Sequence, residues 1–213
     1  MAQRRLAHGY TNHSWLDGDL VVKQYQGVDA AERLRVEVAA LARVAGVVPV
    51  PDVVRVDRVA ARAAVTFVPG RHGQELIDEG YAAQVLKAAG RTLRRLEDGV
   101  PGLVHGDYGP QNLLFKPGSL EVVAVLDWEF AHDGDRVEDL AWAEWIVRLH
   151  HRDAVQYLPT LFEEYGQRPD WALRQTVMVQ RCARFAEICA LDGNQTAAEM
   201  WRSRAQVTRS WHE

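Results

Sequence analysis

His105-Gly106-Asp107-Tyr108-Gly109-Pro110-Gln111-Asn112, followed by Asp127-Trp128-Glu129, is the stretch that decides how the rest of this chain is read. It gathers a carboxylate, an amide and a second carboxylate at spacings that suit phosphoryl transfer. That reaction needs little covalent chemistry from a protein. It needs an oriented acceptor hydroxyl and metal ions that neutralise charge on the phosphates. Asn112-Leu113-Leu114-Phe115 and Val122 to Asp127 read as two short apolar strands, joined through the turn signal Lys116-Pro117-Gly118-Ser119. Antiparallel pairing brings Asn112 and Asp127 to one end of this hairpin, beside the loop that carries Asp107. Two oxygen ligands next to a carboxylate base make a hard site suited to Mg²⁺.

Upstream, the hydrophobic period changes near Pro69-Gly70. Before it, Leu20 to Tyr25 reads as a strand preceded by the turn Asp17-Gly18-Asp19, so a hairpin is expected over residues 4 to 25. Asp29-Ala30-Ala31-Glu32 has the form of a capping box opening a helix that Gly46 ends. Val53 to Val59 and Ala63 to Val68 read as two further strands. After Gly70 the chain is mostly helical, with Val85, Leu86, Ala89, Leu93 and Leu96 at helical spacing before a stop at Gly99 and Pro101. Residues 1–69 are therefore expected to form a sheet-and-helix lobe and 70–213 a helical one.

In the first helix Leu34, Val38, Leu41 and Ala45 form an apolar stripe, and Glu37 falls within about 60° of its centre at 100° per residue. A buried carboxylate is costly unless paired. Lys23, on the short strand before the helix, is the best candidate cation. Taken alone, Glu37 could equally snorkel to the helix flank and Lys23 be solvated. Beside the later motif, a strand lysine held by a helix glutamate has a task, contacting nucleotide phosphates.

Composition limits the alternatives. The chain has 213 residues, 47% hydrophobic and 25% charged, enough for a substantial core and unlike a disordered or fibrous protein. A formal charge of −4 argues against a nucleic-acid partner. The opening residues lack the apolar stretch of a secretion signal, and no apolar run approaches a membrane span, so a cytoplasmic protein with no membrane partner is expected. Cys182 and Cys189 sit seven residues apart in a helical pattern, roughly 10 Å at 1.5 Å rise per residue. That is too far for a disulfide, and two buried thiols are expected. Neither a P-loop, H-E-x-x-H nor G-x-S-x-G occurs.

These residues resemble the aminoglycoside phosphotransferase and choline kinase group, small-molecule kinases built on the protein-kinase fold. The resemblance rests on His105 to Asn112 and Asp127 to Glu129. It extends through Gly9-Tyr10-Thr11-Asn12-His13-Ser14 as a phosphate-covering turn, Lys23, Glu37, Val48-Pro49-Val50-Pro51, and Phe67-Val68-Pro69-Gly70 as the hinge. It implies a bilobal α+β fold with a small antiparallel-sheet lobe carrying one helix, and a mostly helical second lobe. Asp107 would be the base or hydroxyl orienter, Asn112 and Asp127 the Mg²⁺ ligands, and Lys23 the phosphate contact held by Glu37. Ser14 would lie over the nucleotide, ATP or GTP. Thr66 C=O and Val68 N–H would bind the purine. Gly106 stands where protein kinases usually carry arginine, and only eleven residues separate Asp127 from Asp139, leaving little room for a peptide platform.

The implied reaction is phosphorylation of a hydroxyl on a small molecule, by a monomer or homodimer. An aminoglycoside or other hydroxylated antibiotic leads among acceptors, with an amino alcohol, sugar or homoserine-like metabolite as the alternative. A non-catalytic nucleotide-binding regulator and a metal-dependent phosphohydrolase are the rivals. His105 is expected to be a structural hydrogen-bonder and Asp139 a helix-start residue bracing the loop. Glu129 is either a water-mediated metal neighbour or a solvated, helix-orienting residue. Leu140, Trp142, Trp145, Ile146 and Leu149 are expected to pack one C-terminal helix; Trp171, Val177, Cys182, Phe185 and Cys189 another. Carboxylates such as Glu144 and Glu187 there are offset by Arg174, Arg181, Arg184, Arg202 and Arg204.

Overall fold

Alternation of apolar residues around tight turns builds the first sheet. In the computed structural model, which describes residues 4–5 as backbone and 12–213 in full, five antiparallel strands lie in the order β1-β2-β3-β5-β4. They are β1 (Arg4–Arg5), β2 (His13–Asp17), β3 (Leu20–Gln24), β4 (Val53–Asp57) and β5 (Arg62–Thr66). The β2–β3 hairpin closes on Gly18 and Asp19, and Gly18 takes the positive φ of +63° that such a turn requires. Helix α1 (Ala30–Val44) crosses this sheet. Its first half buries Leu34 against Tyr25 and Ala63, whereas Ala40, Leu41 and Val44 enter the main core. The helix thus couples the sheet to the rest of the molecule.

The expected capping box does not form. Asp29 is the N-cap residue, but its carboxylate makes no cap hydrogen bond; it accepts instead from Arg33 Nε at 2.8 Å. Glu32 turns outward to Arg35. A guanidinium four residues on offers charge-assisted hydrogen bonds that a backbone N–H cannot match.

Beyond Gly70 follow β6 (Arg71–His72), α2 (Gly73–Asp78) and α3 (Ala82–Gly99), then β7 (Leu103–Val104), β8 (Leu113–Phe115), β9 (Val122–Val125) and β10 (His132–Asp133). The order β6-β8-β9 makes one small sheet, and β7 pairs with β10. Four helices complete the fold: α4 (Val137–His150), α5 (Leu158–Tyr165), α6 (Trp171–Leu191) and α7 (Gln195–Arg209). The architecture is that of the bilobal protein-kinase-like fold, with one antiparallel-sheet part and one mostly helical part. No helix among the described residues is long and apolar enough to cross a membrane. Val85, Leu86, Ala89, Leu93 and Leu96 of α3 form the main core with Tyr108, Phe115 and Trp128. A second cluster holds Trp142 and Trp145 of α4, stacked at 4.3 Å, together with Met178 and Cys182 of α6. Cys182 is buried as expected, but Cys189 is only partly so, because it faces the end of α6 beyond this cluster.

Helices α3 and α5 meet at Gly90, where a Cβ would overlap Leu161 O and lie 3.0 Å from Glu164 Cβ. Alanine in a helix interior is ordinarily about 1 kcal/mol better than glycine. At this crossing the order reverses: Gly90→Ala is expected to cost about 1–3 kcal/mol by overpacking, seen as a lower urea midpoint. A higher midpoint would contradict the close approach of α3 and α5.

Candidate active site

The loop after β7 is held from below by side chains that leave it few degrees of freedom. His105 is fully buried. Its Nδ1 lies 3.1 Å from the Asp107 backbone N–H, which donates to it, and so Nε2 carries the proton toward Leu126 O at 2.8 Å. Burial pushes the imidazole below its ordinary value and keeps it neutral, consistent with that single tautomer. Asp139, in the first turn of α4 and fully buried, accepts from the backbone N–H groups of His105 and Gly106 at 2.8 and 2.9 Å. Gly106 has φ +84°, and a Cβ there would overlap Phe130 O. An arginine is excluded at this position by backbone geometry.

The braced loop delivers Asp107 with both carboxylate oxygens engaged. Trp142 Nε1 donates to Oδ1 at 2.7 Å, and Asn112 Nδ2 donates to Oδ2 at 2.9 Å and to Asp107 O at 2.8 Å. Desolvation outweighs these hydrogen bonds and lifts the carboxyl to about 7. With its nitrogen committed to Asp107, Asn112 turns its amide oxygen the other way. Asn112 closes a 3-10 turn immediately before β8, and Leu126 N donates to Asn112 O at 2.8 Å. That bond sets Asn112 beside the residue preceding Asp127, at one end of the hairpin.

Asp127 itself occupies the left-handed region at φ +66°, which aspartate tolerates better than most residues. The turn aims its carboxylate at Lys23, whose Nζ bonds Asp127 Oδ1, reaches Glu37 Oε2 at 2.7 Å and lies 3.2 Å from Glu129 Oε2. Carboxylate oxygens of Glu37, Asp127 and Glu129 lie within 4.8 Å of one another. Burial alone would lower the Lys23 pKa, but Asp127, Glu37 and Glu129 together raise it well above the usual lysine value. Glu37 is raised by burial, against the pull of Lys23. In Asp127 the attraction of Lys23 overcomes burial, and the carboxyl stays below its ordinary value. Glu37 also accepts from Tyr25 Oη at 2.5 Å, while Glu129 accepts from Asn12 Nδ2 at 2.6 Å and Arg33 at 3.1 Å. Asp127, at 42% side-chain exposure, is the carboxylate with an open face.

The sequence-derived residues converge with two exceptions. Lys23, Glu37, Asp127, Asn112 and Asp107 form the continuous constellation just described, and Ser14 sits opposite Lys23 in the β2–β3 register. Gly9, Tyr10 and Thr11 of the expected phosphate-covering turn lie outside the described residues. Thr66 ends β5 with its N–H and hydroxyl both bonded to the Asp52 backbone, and Val68 follows, half-buried. Neither touches the carboxylate cluster. Glu129 corrects the expectation of a solvated residue: it is 3% exposed, because Arg33, Asn12 and Lys23 surround it. Trp142 was expected as core alone. Its place three residues after Asp139 puts both on one face of α4, a spacing that carries the signal for its contact with Asp107.

A family model described as the phosphotransferase enzyme family matches residues 2–101 and 84–175. The chain belongs to the phosphotransferase enzyme family. Among solved structures similar to this family member, the GDP complex of wild-type aminoglycoside 2'-phosphotransferase-IIIa aligns over 99% of this chain and 93% of that one, with a TM-score of 0.75 and 13% identity. A choline/ethanolamine kinase family protein from Mesorhizobium loti aligns over 99% and 89%, with a TM-score of 0.70 and 17% identity. Likeness at such identities establishes the fold. Curated relatives include acyl-CoA dehydrogenase family member 10 of Mus musculus, 51% identical over 41 residues, and member 11 of Gallus gallus, 43% identical over 47 residues. Those segments span 19% and 22% of this chain but 4% and 6% of the relatives.

The raised Asp107 carboxyl has a consequence for stability. Folded Asp107 keeps its proton to about pH 7, whereas the unfolded chain releases it near pH ~4. Between those limits the folded state binds more protons, so stability falls as pH rises and levels off above 7. In Asp107→Asn this contribution disappears. Urea unfolding of metal-free protein at pH 5 and pH 8 is expected to show the variant losing roughly 2–3 kcal/mol less than the parent over that interval. Equal losses would mean that Asp107 is ionised throughout.

Proposed function

We propose that this protein transfers the γ-phosphoryl group of ATP, or of GTP, to a hydroxyl on a small molecule. The observation that carries the reading is the convergence of Asp107, Asn112, Asp127 and the Lys23–Glu37 pair, supplied by segments up to 104 residues apart. In the reaction the acceptor oxygen attacks the γ-phosphorus and forms the new O–P bond. The bond to the bridging oxygen breaks, its electron pair leaves with the nucleoside diphosphate, and Asp107 takes the hydroxyl proton. Trp142 and Asn112 fix the direction in which Asp107 presents its carboxylate. Lys23, positioned by Glu37, donates to nucleotide phosphates under Ser14, and Thr66 C=O with Val68 N–H takes the purine edge. The division into lobes at residues 69 and 70 and a cytoplasmic setting belong to the same reading.

The donor set fits Mg²⁺. Three clustered carboxylates, Glu37, Asp127 and Glu129, face two cations, Lys23 and Arg33, so the group carries an excess negative charge made of hard oxygens. Asp127 and the Asn112 amide oxygen would hold the ion, which when bound neutralises charge on the transferring phosphates. Retention of all these groups together speaks against a non-catalytic regulator. For the acceptor, Arg181, partly buried with its guanidinium 5.8 Å from the ring centre of the Trp142 that bonds Asp107, supports the hydroxylated metabolite over a polycationic antibiotic.

Asp107→Ala and Asp127→Ala are each expected to reduce label transfer from γ-labelled ATP by about 10²–10⁴-fold while circular dichroism remains that of the parent. Parent-like turnover in either variant would defeat the proposal.

A further inference from the structure

A cavity of about 460 Å³ opens between α1, the segment after Glu129 and α6. Its walls are charged, and pairing decides the sign it presents. Arg33 is bonded to Asp29 and Glu129, Arg35 to Glu32, and Arg43 to Asp133. Those three pairings use all four acidic residues of the lining. Arg181 and Arg184 remain, and among the described residues neither has an ion pair. Arg181 Nε is moreover buried with no hydrogen-bond partner, a costly state for a charged group. Desolvation lowers the Arg181 pKa, and the first of the charges opposing it is Asp107.

Arg181 also stands at the correct place. Its guanidinium lies 5.8 Å from the ring centre of Trp142, the residue bonded to Asp107, and 5.2 Å from that of Phe185. Phe185 meets Phe130 edge-on at 5.6 Å, and the Phe130 backbone abuts Gly106. Arg181 is therefore set between the cavity and the loop that carries Asp107, with its Nε–H unsatisfied. A planar, permanently charged donor in that state matches a carboxylate or phosphate oxygen pair.

We propose that the acceptor carries an anionic group, a carboxylate or a phosphate monoester, which docks on Arg181 with Arg184 beside it while the acceptor hydroxyl reaches Asp107. The second half of this statement rests on the phosphotransferase reading; the anion site does not. A polycationic acceptor would bring its ammonium groups against Arg181 and Arg184, neither of which has an ion pair among the described residues, and is disfavoured for that reason.

Isothermal titration of the full chain with matched probes tests the site apart from the chemistry. Glycerate against glyceramide examines the carboxylate, glycerol 3-phosphate against glycerol the phosphate, and kanamycin the polycation. At least one anion is expected to bind tighter than its neutral partner by about 10-fold or more, the value of one charged hydrogen bond. Arg181→Gln should abolish that ratio and Arg181→Lys retain part of it. The proposal is overturned if both anions bind no tighter than their neutral partners, if kanamycin binds better than either, or if the ratio survives in Arg181→Gln. Should Arg181→Gln fail to fold, the parent ratios and Arg181→Lys decide. Label transfer from ATP, measured in parallel, separates the two readings. Arg181-dependent anion binding without transfer to any probe would sink the kinase reading and leave the anion site standing; transfer to kanamycin or glycerol alone would do the opposite.

Discussion

The Lys23 ammonium holds the site together. Its three carboxylate neighbours come from α1, from a left-handed turn after β9 and from the turn that follows, so a single charge fixes elements far apart in sequence. Removing charges from water is expensive and their attraction offsets the cost only when geometry is good. Here the geometry is supported from outside: Tyr25 holds Glu37, and Arg33 with Asn12 holds Glu129. Arg33 lies one turn before Glu37 on α1. One face of that helix therefore supplies both a carboxylate and a guanidinium to the cluster, and rotating the helix would disconnect both.

A second constraint acts on the loop that carries Asp107, and it is steric as well as electrostatic. Asp139 binds two consecutive backbone N–H groups, and His105, neutral and in one tautomer, spans from the Asp107 backbone to Leu126. Gly106 fits between because it has no side chain to meet Phe130 O. The absence of the protein-kinase arginine thus follows from how closely the segment after Glu129 is laid against the loop.

Much of this could be read from residue order because the signals are local or periodic. The β8–β9 hairpin, the burial of Leu34, Glu37 and Leu41 on one side of α1 and the stop after Gly99 follow from local spacing, although Ala45, expected on that stripe, lies exposed past the end of the helix. What could not be read depends on contacts between distant segments. Glu129 looks like any exposed acid until Asn12 and Arg33 are placed against it, 117 and 96 residues away. Asp29 carries a capping signature, yet its neighbour Arg33 outcompetes the backbone for its carboxylate. Trp142 has the spacing of a core aromatic and does pack in the core; its indole N–H, at the edge of that packing, is what reaches Asp107.

Charge counting shows the same divide in sharper form. The C-terminal region holds nearly balanced acids and bases, which by itself says nothing about an acceptor. Pairing removes the ambiguity: Glu144 is buried between Arg174 and Arg148, so its charge is spent inside the helical part. Arg33, Arg35 and Arg43 are likewise neutralised within the cavity wall. A ligand feels the charges left over after such pairing, weighted by their desolvation, rather than the composition. By that measure Arg181 outweighs the others, because it is partly buried, stacked on Phe185 and lacks a partner for its Nε. A fold leaves the choice of ligand to such residues, and Arg181 has the chemistry to bind an anion.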